Sequence, residues 1–392
     1  MTDSRPYDLV LFGATGFTGG LTAEYLAHHA PAECRWALAG RNRDKLTALR
    51  ARLAAFNPAC AELPLLHADA SEPDSIREVA AAARVVATTV GPYVKYGEPL
   101  VAACAEAGTD YVDLTGEPEF VDLVYLRYHE QAQKTGARLV HCCGFDSVPY
   151  DLGVLFTVQR LPEGVPLTVK GFIRASGTIS GGTYHSALEI AGRQRQAMRL
   201  ARERQEKEPA PQGRRVGSVS RGLHFAPEVN RWALPLPTID PLVVRRSAAM
   251  LDRYGPDFRY GHYAAMRLPT ALGLAGGSAA LFMAAQVPLL RSWLLRLKSP
   301  GEGPSPEVRA RSWFRARFVG TGGDARVVTE VSGGDPGYEE TAKMLAESAL
   351  CLAFDKGLPE VAGQVTTAVA MGDALIERLQ RAGISFTVLE QA

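Results

Sequence analysis

Apolar residues in the first part of the chain come in short runs separated by stretches with helical spacing. The first run, Leu9-Val10-Leu11-Phe12, leads straight into Gly13-Ala14-Thr15-Gly16-Phe17-Thr18-Gly19, and a helical pattern follows from Gly20 to His29. This reads as strand, tight turn, helix. Further apolar runs at Arg35–Gly40, Leu63–Ala70, Arg84–Val90, Tyr111–Leu114 and Arg138–Cys143 read as strands. Helical spacing fills the gaps at Asp44–Ala55, from Pro73 onward, at Glu98–Ala107 and at Glu119–Thr135. Six strands alternating with helices predict an α/β fold, a doubly wound parallel sheet that closes near residue 150.

From Leu167 the rhythm changes. Thr168–Ala175 alternates like a strand with one wet face, Ser176–Thr183 reads as a small-residue loop, and Tyr184–Lys207 as a long helix. Ser312–Gly320 and Arg326–Gly334, joined by Thr321–Asp324, read as a hairpin of an antiparallel sheet, and helices are expected at Tyr338–Lys356 and Thr366–Ala382. The expected division is a first domain over 1–150 and a second, α+β domain over 151–339.

One stretch stands apart: Leu268–Leu290 is 23 residues without a charge, bracketed by Arg267 and Arg291. Its length suffices to cross a bilayer. It also holds Pro269, Pro288, Gly273, Gly276, Gly277 and Gln286, which favour a buried or interfacial hairpin walling an apolar pocket. Trp293-Leu294-Leu295 beyond it would suit a membrane-surface anchor.

At 392 residues the chain is long enough for about two domains. A formal net charge of +1 gives no argument for a nucleic-acid partner. Arg193–Arg221 carries nine Lys and Arg against three Glu, which reads as a solvated helix and connector before it reads as an anion-binding patch. The six cysteines show no C-x-x-C pairing and Met1–Pro6 has no signal-peptide core, so a cytoplasmic setting is expected. The eight histidines show no zinc-ligand spacing, and no metal is expected.

Candidate chemistry starts at the glycines. Gly13 suits the sharp turn, Gly16 lets the main chain approach a pyrophosphate, and Gly19 lets the helix pack closely on the strand, with Ala14, Thr15, Phe17 and Thr18 completing the phosphate loop. The spacing is G-x-x-G-x-x-G, and the strand before and helix after it are what point to a Rossmann-type dinucleotide site. At the end of the second strand an acid would receive the ribose of NAD. Arg41 stands there instead and suits the 2′-phosphate of NADP, the alternative being a plain solvated turn. Asp69, ending the third strand, is placed either for the adenine amino group or to cap the next helix. Gly91, Pro92 and Tyr93 follow the fourth strand, on the edge where the nicotinamide half of a dinucleotide lies.

Five motifs together resemble the saccharopine dehydrogenase-like oxidoreductases: Gly13–Gly19, Ala39-Gly40-Arg41, Val90-Gly91-Pro92-Tyr93, Tyr111–Glu117 and Gly144-Phe145-Asp146-Ser147-Val148-Pro149. The branch most similar is the trans-acting enoyl reductases of actinobacterial lipid and polyketide assembly, and Gly357-Leu358-Pro359 and Met371–Leu375 extend the likeness to nearly the whole chain. The resemblance implies NADPH as cofactor, C-terminal helices (about 340–392) returning to the nucleotide domain, and a small-molecule or carrier-bound acyl substrate. A homodimer and peripheral membrane association are further open expectations.

Enoyl reduction needs a proton and a group to hold the enolate oxygen. No tyrosine here has a lysine four residues later, so the Tyr-x-x-x-Lys device is absent. Tyr93, with Lys95 and Tyr96 beside it, is the first catalytic candidate, stacking on the cofactor being its other reading. Asp146 and Ser147 come next, with a turn and helix cap as theirs. Glu117 and Asp113 stay ambiguous, and His185 reads as a helix-face residue. Two other functions remain open: an amino-acid dehydrogenase of the saccharopine kind, and a non-catalytic nucleotide-binding protein at a membrane surface.

Overall fold

The computed structural model describes residues 5–176, 193–219, 221–285 and 303–392. Strands β1 (Tyr7–Phe12), β2 (Trp36–Gly40), β3 (Leu65–His67), β4 (Ala83–Thr88), β5 (Asp110–Asp113) and β6 (Arg138–Val140) alternate with helices α1 (Phe17–His29), α2 (Arg43–Ala54), α3 (Pro73–Ala82), α4 (Tyr93–Tyr96), α5 (Glu98–Ala107) and α6 (Pro118–Thr135). These strands pair in parallel in the order β6-β5-β4-β1-β2-β3, so the winding reverses between β1 and β4. Helices cover both faces, which is why Leu9, Val10 and Leu11 on β1 and Val86 and Ala87 on β4 are all fully enclosed and the strands read as unbroken apolar runs.

A seventh strand, β14 (Gly363–Val365), joins the free edge of β6 from far along the chain. The Glu339–Phe354 helix lies against α1 and the β4–β5 face. The chain does not finish there. Its last element, Ser385–Gln391, is strand β15 of the other sheet, where one helical set over 340–392 was expected on the nucleotide domain. Only Phe386 of this strand is buried, so its alternation is weak in the sequence. The helix expected over Thr366–Ala382 is broken into Thr367–Ala370 and Gly372–Arg381, with Gly372 at φ +46°.

The second sheet runs β15-β13-β12-β7-β11-β10-β9, with β8 also on β11. Its members are β7 (Leu167–Ser176), β8 (Arg215–Ser218), β9 (His224–Ala226), β10 (Arg231–Pro235), β11 (Asp257–Met266), β12 (Trp313–Gly322) and β13 (Ala325–Gly333). It is mixed, since β7 and β8 pair in parallel with β11. The β12–β13 hairpin turns on Gly323-Asp324 alone, a tighter turn than the four residues expected, with Gly323 at φ +57°.

Leu268–Ala285 is a helix whose first turns bury Ala271 and leave Leu272 and Leu274 exposed. No helix among the described residues is long and apolar enough to cross a membrane. The rest of the expected hairpin, the 177–183 loop, and the start of the long helix with His185 lie outside the described residues.

Between the two sheets runs α7 (Val148–Val158), and all 11 of its residues are buried. A helix apolar on every side is a core helix, and the expected boundary at residue 150 falls inside it. Gly153 permits its contact with β12, since a Cβ there would stand 2.3 Å from Phe318. The charge buried in α7, Asp151, accepts from the hydroxyls of Ser247 and Thr367 (2.7 Å) and from the Ala368 N–H (2.8 Å). Burial raises its carboxyl above the ordinary range while these donors pull it back. Asp151→Ala leaves three donors facing an apolar gap and should remove about 3 kcal/mol or more of stability. Urea unfolding measures this, and a change below about 1 kcal/mol would count against the carboxylate as the tie between these helices.

Candidate active site

The turn after β1 takes the backbone path its glycines allow. Gly13 sits at φ +87°, and a Cβ on it would meet Val90 Cγ2 at 2.7 Å. A Cβ on Gly19 would come within 2.1 Å of the Gly13 carbonyl, so α1 can approach β1 this closely only with glycine. Thr89 Oγ1 donates to that same carbonyl at 3.1 Å, tying the end of β4 to the turn. Gly16 caps α1 without a side-chain bond, and the first turn carries no acid. The first-turn N–H groups are thus left for an anion, with the helix dipole behind them. Ala14 is fully buried and Thr15 exposed. The Phe17 ring packs edge-on against Tyr338, 4.9 Å between centroids, with the Arg309 guanidinium 5.6 Å from it.

Arg41 follows β2, exposed, with no ion pair among the described residues, while its neighbour Asn42 caps α2. Asp69 Oδ1 accepts from the Ser71 N–H (2.9 Å) and hydroxyl (2.7 Å). Those bonds, with the nearby Arg41 charge, hold its carboxyl below the usual range. The carboxylate therefore shapes the turn after β3. A glycine turn closed by backbone contacts, an uncapped helix start and an unspent arginine together fit a dinucleotide with a 2′-phosphate.

Tyr93 is not where a catalytic phenol is needed. Its ring is buried against Phe120, and its hydroxyl donates to the Thr88 carbonyl and accepts from the Leu114 N–H, both at 3.1 Å. The one proton it carries is spent on stitching β4 to β5. The Gly91–Pro92 bond is cis, and residues 93–96 form a single helical turn. Glu117, 1% exposed, receives the N–H groups of Tyr93 and Val94 on its two oxygens at 3.0 Å each. Asp113 is a second knot: Oδ1 accepts from the Thr115 and Cys142 N–H groups, Oδ2 from the Tyr111 hydroxyl and His141 Nδ1.

Asp146 differs from these acids. Its side chain is open to solvent in the turn between β6 and α7. Desolvation by the surrounding protein, with the negative charge of Asp240, pushes its carboxyl up to about 7. Ser147 beside it is 1% exposed; its hydroxyl neither caps α7 nor finds another partner among the described residues. Sequence reasoning missed three neighbours from the second half. Asp240 opens the Asp240–Met250 helix; His262 and Tyr260 share one face of β11, two residues apart. Tyr150, in the first turn of α7, sets its ring 4.9 Å from His262 and feels both carboxylates. The signal that would have found the β11 pair is the polar-tipped alternation Tyr260-Gly261-His262 inside an apolar strand.

Two substitutions separate these roles. Arg41→Ala should weaken NADPH binding and spare NADH, because a charge-assisted phosphate contact is lost and the shared contacts remain; titration of both cofactors decides it, and an equal loss for both refutes the assignment. Tyr93→Phe leaves the Leu114 N–H without its acceptor and should cost about 1–3 kcal/mol in urea unfolding with turnover close to normal. A hundredfold fall in turnover without loss of stability would return the phenol to the chemistry.

The model of the saccharopine dehydrogenase NADP-binding domain matches residues 9–140. The chain is 42% identical, over 97% of both chains, to a Mycobacterium tuberculosis protein provisionally named a trans-acting enoyl reductase. It is 38% identical, again over 97% of both, to the trans-acting enoyl reductase of Mycobacterium ulcerans. Among solved structures, the L-glutamate-forming saccharopine dehydrogenase of Saccharomyces cerevisiae shares the fold, with a TM-score of 0.55 at 11% identity over 98% of this chain and 100% of that one. The chain therefore belongs to the saccharopine dehydrogenase-like family of NADP-dependent oxidoreductases, among the proteins named trans-acting enoyl reductases.

Proposed function

We propose that the protein reduces the carbon–carbon double bond of an enoyl thioester, carried on a lipid-like or polyketide acyl chain, and that Asp146 is its acid. What supports this reading is the place of Asp146, in the turn after β6 at the carboxyl edge of the parallel sheet, together with a carboxyl pushed up to about 7. A general acid works best when its pKa lies near the working pH. The names of the full-length relatives support the substrate class.

NADPH, when bound, supplies the hydride that the β-carbon takes up. Gly13 and Gly19 set the turn for its pyrophosphate, the α1 N–H groups face that charge, and Arg41 takes the 2′-phosphate. Protonated Asp146 holds the developing enolate oxygen by a hydrogen bond or gives its proton to the α-carbon. The O–H bond of Asp146 then breaks, a C–H bond forms, and the carboxylate is reprotonated from solvent. Tyr150, held protonated far above neutral pH by burial and by Asp240, is available only as a donor. Amino-acid chemistry of the saccharopine kind is less well served here, because an ionised Asp240 would repel the carboxylates such a substrate carries.

Asp146→Asn should lower turnover by roughly 10²–10⁴-fold with NADPH binding kept. Wild-type turnover should fall as pH rises through about 7, because the acid form is the one present below that value. NADPH oxidation against a panel of enoyl thioesters and of amino-acid/keto-acid pairs measures both effects. Turnover confined to the amino-acid pairs would overturn the proposal.

A further inference from the structure

β11 runs into a helix that the rest of the fold barely covers. Leu268–Ala285 carries no charged residue, and it lies against β10. In its first turns the covered positions are Leu268, Ala271 and Ala275, one stripe at i, i+3 and i+7. The other positions of those turns face out. Leu272 is 56% and Leu274 44% exposed, and a Cβ built on Gly273, Gly276 or Gly277 meets nothing beyond the helix itself within 4 Å among the described residues. A helix that is apolar on every side belongs inside a core or in lipid, and these turns stand outside the core.

The foot of the helix is built differently. The register sets Phe225 opposite Trp232 and Trp232 opposite Met266 across β9, β10 and β11, so the three side chains stand in one row on one face of the sheet. The Phe225 and Trp232 rings meet edge-on with centroids 6.1 Å apart, and Phe225 is 45% exposed. Arg231 lies beside Trp232 on β10, and the exposed Arg267 lies between Met266 and the helix. Arg231 donates only to the neighbouring Asn230 carbonyl, and neither arginine has an ion pair among the described residues. Aromatic rings and cations bordering a bare apolar helix are the features of a segment that sits at a membrane–water boundary.

We propose that the Leu268–Ala285 helix docks the protein on an anionic lipid bilayer, lying along its surface with Leu272 and Leu274 at the hydrocarbon margin and Arg231 and Arg267 at the headgroup phosphates. The two unpaired guanidinium groups complement the charge of such a surface. A protein partner would need anchoring side chains at the centre of the exposed face, and that centre is Gly273 and Gly277. Fluid hydrocarbon needs no matching shape. The leucines at the two margins of the face gain by leaving water, and the glycines between them let the helix lie close to the boundary.

Flotation of the full-length protein with vesicles tests this, using equal parts of phosphatidylcholine and phosphatidylglycerol in one set and phosphatidylcholine alone in the other. Wild type should float with the mixed vesicles and weakly with the neutral ones, and high salt should lower its binding. Leu272→Asp combined with Leu274→Asp should lower the partition coefficient about tenfold or more, and Arg231→Ser combined with Arg267→Ser about tenfold. NADPH affinity should stay unchanged in both variants, which reports that they fold. If the double leucine variant does not fold, Leu272→Asp alone should give a smaller loss in the same direction. Wild type that stays in solution with both kinds of vesicle overturns the proposal, and so do leucine variants that bind as wild type does. Equal flotation with both kinds overturns the part given to the arginines. A wild-type dimer in analytical ultracentrifugation that the leucine variant dissociates, with no vesicle binding by wild type, also overturns it and gives this face to a second copy of the chain.

Discussion

One buried carboxylate sets the relation between the halves of this molecule. Asp151 lies inside a helix enclosed on every side, and its oxygens are satisfied only by groups from the Asp240–Met250 helix and from the Thr367–Ala370 turn. A carboxyl this deep is tolerable when donors meet both of its oxygens. The consequence is geometric. The turn ahead of α7 carries Asp146, so fixing α7 against these two partners also fixes the acid against Asp240 and His262.

The acids near the crevice sort themselves by what they already hold. Glu117 and Asp113 accept from main-chain N–H groups at the ends of β4, β5 and β6, and their negative charge is consumed in holding the strand ends together. Asp146 holds nothing comparable, and its carboxyl is pushed up to about 7. The same contrast separates the phenols: Tyr93 bridges two strands, whereas Tyr150 feels the carboxylates of Asp146 and Asp240. Chemistry is left to the side chains the fold has not used.

Most of the nucleotide half was legible in the residues. Apolar runs gave β1 to β6 because parallel strands covered on both faces cannot alternate, and the glycine spacing marked a turn whose contacts leave no room for a Cβ. What escaped reading depended on distance along the chain. Tyr93 looked catalytic because its position at the end of β4 is right; only the fold shows that Leu114, 21 residues on, takes up its hydroxyl. His262 and Asp240 carry no local motif, since each gains meaning from an acid more than ninety positions earlier. β14 and β15 are short, and three or seven residues do not announce which sheet they will join.

Those two late strands also govern when the protein becomes a protein during synthesis. β6 waits for β14, with 222 residues lying between them, and β13 waits for β15, which is made later still. Until β14 and β15 have been made, the nucleotide sheet has an open edge beside β6, and the second sheet has one beside β13. Contacts this far apart are slow to form and leave sheet edges available to other chains meanwhile.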